Sequence, residues 1–381
     1  MITLKKTLKI KYVGFWEGFN PDNNILCKTI KKFYDIEESD DPDYIICSVF
    51  QNSNNDYFEY CNYPQVRIMF SGENYIPDFN IVDYAISSYP VKLQDRHLHY
   101  PYCLHDYNAH CSELVKKERN YSLEFLKKKI YFANFIASHD SENNIRGDFF
   151  KSLNEYKRVE SPGSFLNNMQ NGYCVNLNDT SKVEFQRKCK FTLCFESTRH
   201  EGFITEKITD AFFADTIPVY YGSSDVNQIF NSEAFINCSD YPSFDEVKKK
   251  IIELDQDDEK YLDMLNKPIF VDDSIVLKKE KELDAFVKNI FEQPLEDTFR
   301  RSRVYTPKNQ EIYLQRIIRL KNRYENTSIL DDFSIRVLLQ FLKKKIKVNF
   351  RITVKYILSS FMRGLRRIII LMKKIAERRN D

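Results

Sequence analysis

The chain has 381 residues, 43% of them hydrophobic and 14% aromatic, which predicts a globular protein of two or three domains and excludes an intrinsically disordered one. Its 57 basic and 55 acidic side chains nearly balance, but residues 343–381 hold 13 Lys or Arg and only two acidic residues. The remainder is therefore acidic, which argues against a nucleic-acid partner and leaves the basic tail as the segment expected to contact something anionic.

Cysteine usage and hydrophobicity indicate the compartment. The nine cysteines are scattered and odd in number, without a CxxC pair, as expected for reduced thiols. Residues 1–16 lack the apolar core and cleavage site of a signal peptide. No stretch reaches the ~20 apolar residues of a transmembrane helix. We therefore expect a cytoplasmic protein.

The first part of the chain contains apolar runs of strand length separated by polar segments. The predicted strands are Lys9–Trp16, Asp43–Phe50, Gln65–Ser71 and Asp83–Ser88, and the predicted crossover helix is Thr29–Glu38. This alternation favours an open, mostly parallel sheet, in which ligands meet the carboxyl ends of the strands. At one such end Gly72 lets the backbone turn away, so that Glu73 projects as a candidate base or as an ordinary turn residue.

Four of the six histidines occur close together in the sequence. The group comprises His97, His99, Cys103, His105, His110 and Cys111. These residue types suit a metal, but their spacings lack the paired pattern of closed zinc sites. We expect a structural or acceptor-side role instead.

A charged connection, residues 114–127, precedes a second α/β segment. Its first predicted strand is Lys128–Ala137, and an amphipathic helix is predicted over Asn144–Tyr156. Arg146 lies in the first turn of that helix. Its guanidinium group would suit a phosphate, although a helix-surface arginine is the alternative.

The most informative stretch is Lys190–Asp225, with strands predicted at Phe191–Phe195 and Ile217–Tyr221. Between them, apolar residues at Ile204, Ile208, Ala211 and Phe212 have the one-faced spacing of a helix. Thr205 is the predicted N-cap, which puts Glu206 and Lys207 in the first turn. A helix N-terminus with a lysine is a candidate anion site, and a capped surface helix is the alternative.

Three blocks in this stretch carry a family resemblance: F-x-x-C-F-E-S, G-F-I-T-E-K-I-T-D-A-F-F and T-I-P-V-Y-Y-G-S. They resemble the donor-binding motif of glycosyltransferase family 10, the α1,3/4-fucosyltransferases, and above all its bacterial members. The resemblance implies an α/β protein of GT-B architecture, with two Rossmann-like domains facing a cleft. It also implies inverting transfer of fucose from GDP-fucose.

The resemblance assigns roles to particular residues. Residues 71–85 resemble the family's first-domain motif, which makes Glu73 the implied catalytic base. Glu206 is the second implied catalytic carboxylate, near the donor ribose or the fucosyl ring. The implied donor-binding residues are Arg146, Lys207, Thr205, Glu196, Ser197, Phe203 and Tyr221. For Glu196, at the end of its strand, capping of the following loop is the alternative to binding the nucleoside. Bacterial relatives commonly have Asn at position 197 and Tyr at 203, so a related GDP-sugar remains an alternative.

The mechanism that the resemblance implies requires no metal or other cofactor. The two D-x-D sequences, Asp41–Asp43 and Asp255–Asp257, do not lie where a metal-dependent transferase would hold its metal. Arg146, Lys207 and the amides near Thr205 are expected to neutralise the pyrophosphate. Stimulation by divalent ions is left open.

We predict three regions: an acceptor domain over residues 1–115, a donor domain over 126–300 and a helical, basic, amphipathic tail over 301–381. The part of the tail at 343–381 is expected to lie on an anionic membrane surface, because a basic helix with an apolar side favours the interface. A solvated or dimer-forming helix is the alternative.

The expected function is transfer of L-fucose to a hydroxyl group of an oligosaccharide or lipid-linked glycan, such as O3 of GlcNAc or Glc, in surface polysaccharide or lipopolysaccharide synthesis. The enzyme would work on the inner face of the cytoplasmic membrane. Two rivals are a GT-B transferase using another nucleotide sugar and a membrane-attached glycan-binding protein without catalysis.

Overall fold

The computed structural model describes residues 5–50, 57–105, 110–176, 180–302 and 304–326. The contacts divide the chain after Gln315, and the description concerns the first of the two units. The strands are β1 (Thr7–Val13), β2 (Asp35–Glu38), β3 (Tyr44–Cys47), β4 (Val66–Ser71), β5 (Tyr84–Ser87), β6 (His97–His99), β7 (Tyr131–Phe135), β8 (Val159–Glu160), β9 (Cys189–Phe195), β10 (Ile217–Tyr221) and β11 (Ile236–Asn237).

The helices cover the faces of the sheets and connect the strands. They are α1 (Ile25–Phe33), α2 (Cys111–Lys116), α3 (Leu123–Leu126), α4 (Ile145–Tyr156), α5 (Ser181–Gln186), α6 (Glu206–Phe213), α7 (Phe244–Gln256), α8 (Asp258–Leu265), α9 (Ile275–Phe291), α10 (Leu295–Thr298) and α11 (Tyr305–Asn326).

The first sheet has the strand order β2-β1-β3-β4-β5-β6, with all neighbouring strands parallel. The four strands predicted in this part of the chain are confirmed: three are shorter than predicted, and β1 is shifted, beginning at Thr7 and ending at Val13. The helix predicted over Thr29–Glu38 is wrong in both limits. Asn24 caps it by accepting hydrogen bonds from the amides of Leu26 and Cys27, so it begins at Ile25, and it ends at Phe33. Asp35–Glu38 is strand because it pairs with the open edge of β1, whose amides and carbonyls need partners.

The second sheet has the order β11-β10-β9-β7-β8, again with parallel pairs throughout. The strand predicted over Lys128–Ala137 is confirmed as β7, and the helix predicted over Asn144–Tyr156 as α4. Strand β9 is buried along its whole length, and most of its residues are apolar, as expected for a central strand covered on both faces. The carboxyl ends of β7 and β9 lie side by side, because Phe135 pairs with Leu193.

Helix α9 returns from the second sheet to the first, a crossing that the sequence did not predict. Leu283, Val287 and Ile290 are almost completely buried, in the same apolar core as Leu8 and Ile10 of β1. That core also contains residues of α6 from the second half of the chain. Residues of both halves of the chain therefore contribute to this core.

The predicted C-terminal tail is described only in part. In the described residues of this tail, Tyr305–Asn326 is the helix α11, whereas residues 343–381 lie outside the described part of the chain. Within the described residues, no helix combines the length and the apolar character that spanning a membrane requires.

Candidate active site

Helix α6 places its first turn between the two sheets. Ile204, Ile208, Ala211 and Phe212 are all at most 1% exposed, which confirms the predicted apolar face. Burial of each large side chain contributes about 1.5–3 kcal/mol, so the helix is held firmly. Just before the helix, the carbonyl of Ile204 accepts a hydrogen bond from the amide of Cys103 in the first half of the chain, at 2.9 Å.

A buried carboxylate, Glu196, organises the start of α6. It follows β9 and is 2% exposed, and its oxygens accept hydrogen bonds from the amide of Thr205 (2.8 Å) and from the Thr205 hydroxyl (2.9 Å). The Lys207 ammonium donates to Glu196 Oε2 at 2.9 Å and to Thr205 Oγ1 at 2.8 Å. Thr205 occupies the predicted N-cap position, but its side chain binds Glu196 instead of capping the helix amides.

Glu206 lies between two lysines. Its carboxylate is 3.8 Å from Lys182 Nζ, and Lys182 also pairs with Asp210 at 2.5 Å. Burial alone would raise the pKa of Glu206, but Lys207 and Lys182 outweigh it and the net pKa is lowered. Glu206 is therefore an anion at neutral pH.

Glu73 faces this cluster from the other half of the chain. Desolvation raises the pKa of Glu73, the Glu206 carboxylate raises it further, and Lys207 works in the opposite direction. Among the described residues, no side chain donates a hydrogen bond to its carboxylate. The strand end of the first sheet thus presents a proton-accepting group to the start of α6.

Contacts between the two halves lie next to Glu73. Asn74 Nδ2 donates to Thr198 Oγ1 at 2.6 Å, and the Tyr89 hydroxyl donates to Asn74 Oδ1 at 3.0 Å. The rings of Tyr89 and His200 stack with centroids 4.4 Å apart. These contacts close the cleft on the β5 side of Glu73.

Arg146 is held in place by backbone carbonyls. The side chain is only 3% exposed. Its guanidinium group donates to the carbonyl of Phe195 from Nε (3.1 Å) and Nη2 (2.7 Å), and to that of His139 from Nη1 (3.1 Å). Arg146 therefore ties together the chain segments that follow β7 and β9, which positions Glu196.

The other predicted donor residues fall into different environments. Phe203 is 4% exposed and its ring lies 5.0 Å from that of His200, so it packs inside the loop before α6. Ser197 is half-buried after β9. The Tyr221 ring is half-buried, with the Arg199 guanidinium 5.4 Å above it. Tyr221 and Arg199 thus form part of the wall beside Glu196, whose amide donates to the Tyr221 carbonyl at 2.8 Å.

The histidine group is built into the fold. His97 bonds Ser87 Oγ (2.9 Å) and the Val91 carbonyl (2.6 Å), and burial lowers the pKa of His97 to about 4. Burial also lowers the pKa of His105 to about 4, and its ring stacks on Phe70. In the part of the chain that the structure describes, no three of His, Cys, Asp or Glu converge on a metal-sized site.

Several residues of the site were not predicted. Lys182 has no local signal, because its partners lie 24 or more residues away in the sequence. Asp210 does have a local signal in the sequence. It follows Glu206 by four residues, so the two carboxylates lie on the same helix face and can share a cation. The pairs Asn74–Thr198 and Tyr89–His200 depend on the docking of the two halves.

Known proteins match both halves of the chain. Residues 10–105 match the model of the α-(1,3)-fucosyltransferase FucT N-terminal domain, and residues 126–267 match the C-terminal model of glycosyltransferase family 10 (fucosyltransferase). The α-(1,3)-fucosyltransferase FucT of Helicobacter pylori is 33% identical over 291 residues, which cover 68% of this chain and 59% of that protein. The human 4-galactosyl-N-acetylglucosaminide 3-α-L-fucosyltransferase 9 is 36% identical over 134 residues, 35% of each chain.

A solved structure shares the architecture. The crystal structure of an α1,3-fucosyltransferase with GDP-fucose aligns with a TM-score of 0.63 and 28% identity, covering 80% of this chain and 95% of that one. The predicted α/β GT-B fold is thereby confirmed. The chain spans somewhat over half of the length of the Helicobacter pylori relative. With both halves matched in order and the fold shared, the chain belongs to glycosyltransferase family 10.

Proposed function

We propose that this protein transfers L-fucose from GDP-fucose to a hydroxyl group of a glycan acceptor, with inversion at the anomeric carbon. The observation that carries the proposal is the pair of carboxylates across the cleft. Glu73 has a raised pKa and Glu206 a lowered one, with Lys207 acting on both. Environments that separate the pKa values of two neighbouring carboxylates are typical of sites that divide acid–base and charge-stabilising roles.

In the proposed reaction, Glu73 takes the proton of the acceptor hydroxyl while its oxygen attacks the anomeric carbon of fucose. The bond from that carbon to the β-phosphate oxygen breaks, and GDP leaves with the electron pair. Glu206 stays ionised and faces the positive charge that develops on the sugar ring. An attack from the face opposite the leaving group inverts the configuration.

The leaving diphosphate needs positive charge. The Lys207 ammonium has three N–H donors, and Glu196 and Thr205 engage two of them. Its side chain is 27% exposed, so the third can reach a ligand. The backbone amides at the start of α6, which the Thr205 side chain does not cap, would supply further hydrogen-bond donors to the diphosphate. In this proposal Arg146, with Glu196, holds the wall of the donor site, while Ser197, Phe203 and Tyr221 shape it.

A donor panel tests the proposal. The purified chain is incubated with GDP-fucose, GDP-mannose and UDP-sugars and with N-acetyllactosamine, and products are identified by mass spectrometry and NMR. We expect transfer from GDP-fucose alone, with an α1,3 linkage to GlcNAc. Transfer from another nucleotide sugar would support a different GT-B transferase, and binding without turnover would support the glycan-binding protein.

We also propose that the protein works in the cytoplasm, on the inner face of the membrane, in surface polysaccharide or lipopolysaccharide synthesis. The composition of residues 343–381 supports this placement. Co-sedimentation of the full chain with vesicles should require anionic lipid and weaken with salt. Equal binding to neutral vesicles would contradict the electrostatic part of the proposal, and light scattering would show whether the tail forms a dimer instead.

A further inference from the structure

An aromatic cluster lies at the carboxyl end of β1. It consists of Phe15, Trp16, Phe19 and Phe50, and below it is called the Trp16 cluster. The Phe15 and Phe19 rings are stacked with centroids 3.8 Å apart. The Trp16 ring is approached nearly edge-on by Phe19 at 5.2 Å and Phe50 at 5.4 Å. Trp16 nevertheless remains 49% exposed.

The backbone also fixes the position of Trp16. The amide of Phe19 donates to the Trp16 carbonyl at 3.1 Å, which closes a tight turn. Gly18 has φ +80° at the third position of that turn, a conformation that glycine adopts without strain. An indole held by neighbouring rings and a closed turn loses little conformational entropy when a ligand covers it. The Trp16 cluster is therefore a rigid, half-open aromatic surface rather than a loosely packed side chain.

The position of this surface relates it to Glu73. Val13 of β1 pairs with Cys47 of β3, which pairs with Met69 of β4, and β4 continues for two more residues, to Ser71. Trp16 and Glu73 each follow their strand at the same end of the sheet, and the two strands, β1 and β4, are separated by two strand spacings, or about 10 Å. That span matches a short oligosaccharide with one reacting hydroxyl at Glu73.

The other side of Glu73 is occupied. Asn74 is bonded to Thr198 and to Tyr89, and Tyr89 stacks on His200. An acceptor whose hydroxyl reaches Glu73 therefore has its remaining sugar units directed away from β5, toward β3 and β1. Trp16, after β1, is an exposed aromatic side chain on that side of Glu73.

We propose that Trp16 binds a sugar ring of the acceptor, one or two units away from the hydroxyl that reacts. This inference rests on the proposed function and adds an acceptor subsite to it. The C–H bonds on one face of a pyranose ring carry partial positive charge and are attracted to the negative face of the indole. The exposed carboxylate of Glu17, the next residue, can accept hydrogen bonds from the hydroxyls of the same sugar.

Fluorescence gives a direct test, because Trp16 is the protein's only tryptophan. The full chain, saturated with GDP, is titrated with N-acetyllactosamine and with longer oligosaccharides that contain it. We expect a blue shift of the emission and protection from acrylamide quenching, with an affinity that rises with oligosaccharide length. Unchanged emission at saccharide concentrations that saturate turnover would overturn the inference. The titration reads out binding even if the chain shows no transferase activity.

Kinetics supply the second test, with Trp16→Leu and Trp16→Phe. We expect Trp16→Leu to raise the acceptor KM by roughly tenfold or more, with a smaller rise for Trp16→Phe, which keeps an aromatic face. The KM for GDP-fucose and its slow hydrolysis in the absence of acceptor should not change. Ile130→Ala is the matched control. Ile130 is 66% exposed and precedes β7 of the second sheet, so it lies at the amino end of a strand, whereas Trp16 follows the carboxyl end of β1.

The outcomes separate the two levels of the account. If the unsubstituted chain neither hydrolyses GDP-fucose nor transfers fucose, the proposed function is refuted, but the subsite is not. An unchanged acceptor KM in Trp16→Leu, with normal hydrolysis, would overturn the subsite alone. Loss of vesicle binding in that variant, with the acceptor KM intact, would also overturn it and assign the surface to a membrane.

Discussion

The carboxyl groups of Glu73 and Glu206 are chemically alike, and their surroundings make them different. Glu206 is paired with the cations of Lys182 and Lys207, which lower its pKa despite burial. Glu73 has no such partner among the described side chains, and desolvation and Glu206 raise its pKa. A base works best when its pKa lies near the working pH, so the raised value suits Glu73 to remove a proton.

The pH dependence of transfer should show this coupling. Glu73 must be ionised to act, so activity falls as the pH drops through its raised pKa. Glu206→Gln removes a nearby anion and should move this acidic limb to lower pH. Lys207→Gln removes a nearby cation and should move it to higher pH. The kcat/KM of each variant is measured across the pH range, and the position of its acidic limb is compared with that of the unsubstituted chain.

The control for these profiles is Glu124→Gln, which removes an exposed carboxylate on α3. Its acidic limb should coincide with that of the unsubstituted chain. Shifts of the Glu206 and Lys207 variants in the same direction would contradict the proposed coupling.

At the scale of elements, α6 and the loop before it fix the distance between the two halves. Gly202 lies in that loop with φ +80°, and its amide donates to Ser223 Oγ and Asp225 Oδ1. A Cβ atom at this position would collide with the carbonyl oxygen of Ser88, at the end of β5. The backbones approach so closely that only glycine fits.

Gly202→Ala should therefore destabilise the protein more than its backbone conformation alone requires. Gly172→Ala is the matched control, because Gly172 has φ +66° but open space around its Cβ position. We expect about 1–2 kcal/mol for Gly172→Ala, and roughly twice that or more for Gly202→Ala. Urea unfolding midpoints measure both, and equal losses would show that the contact with Ser88 has no energetic weight.

Periodicity predicted the elements that local sequence determines. The spacing of Ile204, Ile208, Ala211 and Phe212 located α6, and the apolar runs located the central strands of both sheets. Strand β2 was not predicted, because Asp35–Glu38 is polar and forms a strand only by pairing with β1. The role of Lys182 was not predicted either, because nothing near it in the sequence indicates the carboxylates with which it pairs. The candidate base could be placed at a strand end, while its electrostatic partners depend on how the halves dock.

At the scale of the whole molecule, the segment after α9 binds back to the first sheet. Asp83, completely buried, accepts hydrogen bonds from the amides of Arg67 (2.8 Å), Arg300 (2.9 Å) and Arg301 (2.8 Å), and pairs with the Arg301 guanidinium. The carbonyls of Pro64 and Gln65 accept from the same guanidinium at 3.0 and 2.9 Å. This buried ion pair thus joins the end of the donor half to the sheet that carries Glu73.

Asp83→Ala should lower the free energy of unfolding by about 3–5 kcal/mol, because it removes the buried carboxylate that pairs with the Arg301 guanidinium and accepts hydrogen bonds from three backbone amides. Asp95→Ala removes the partner of Arg300 in a more exposed pair and should cost at most about 1 kcal/mol. Denaturant unfolding of both variants tests the difference. Similar losses would show that the buried pair does not hold the segment.

The proposed role of Glu73 as the base for fucose transfer is tested by the substitution Glu73→Gln. The substitution keeps the size of the side chain and removes its ability to take a proton. With GDP-fucose and N-acetyllactosamine, we predict that kcat falls by about 10²- to 10⁴-fold while the KM for GDP-fucose stays the same. Transfer by the Glu73→Gln variant at the rate of the unsubstituted chain would contradict the account.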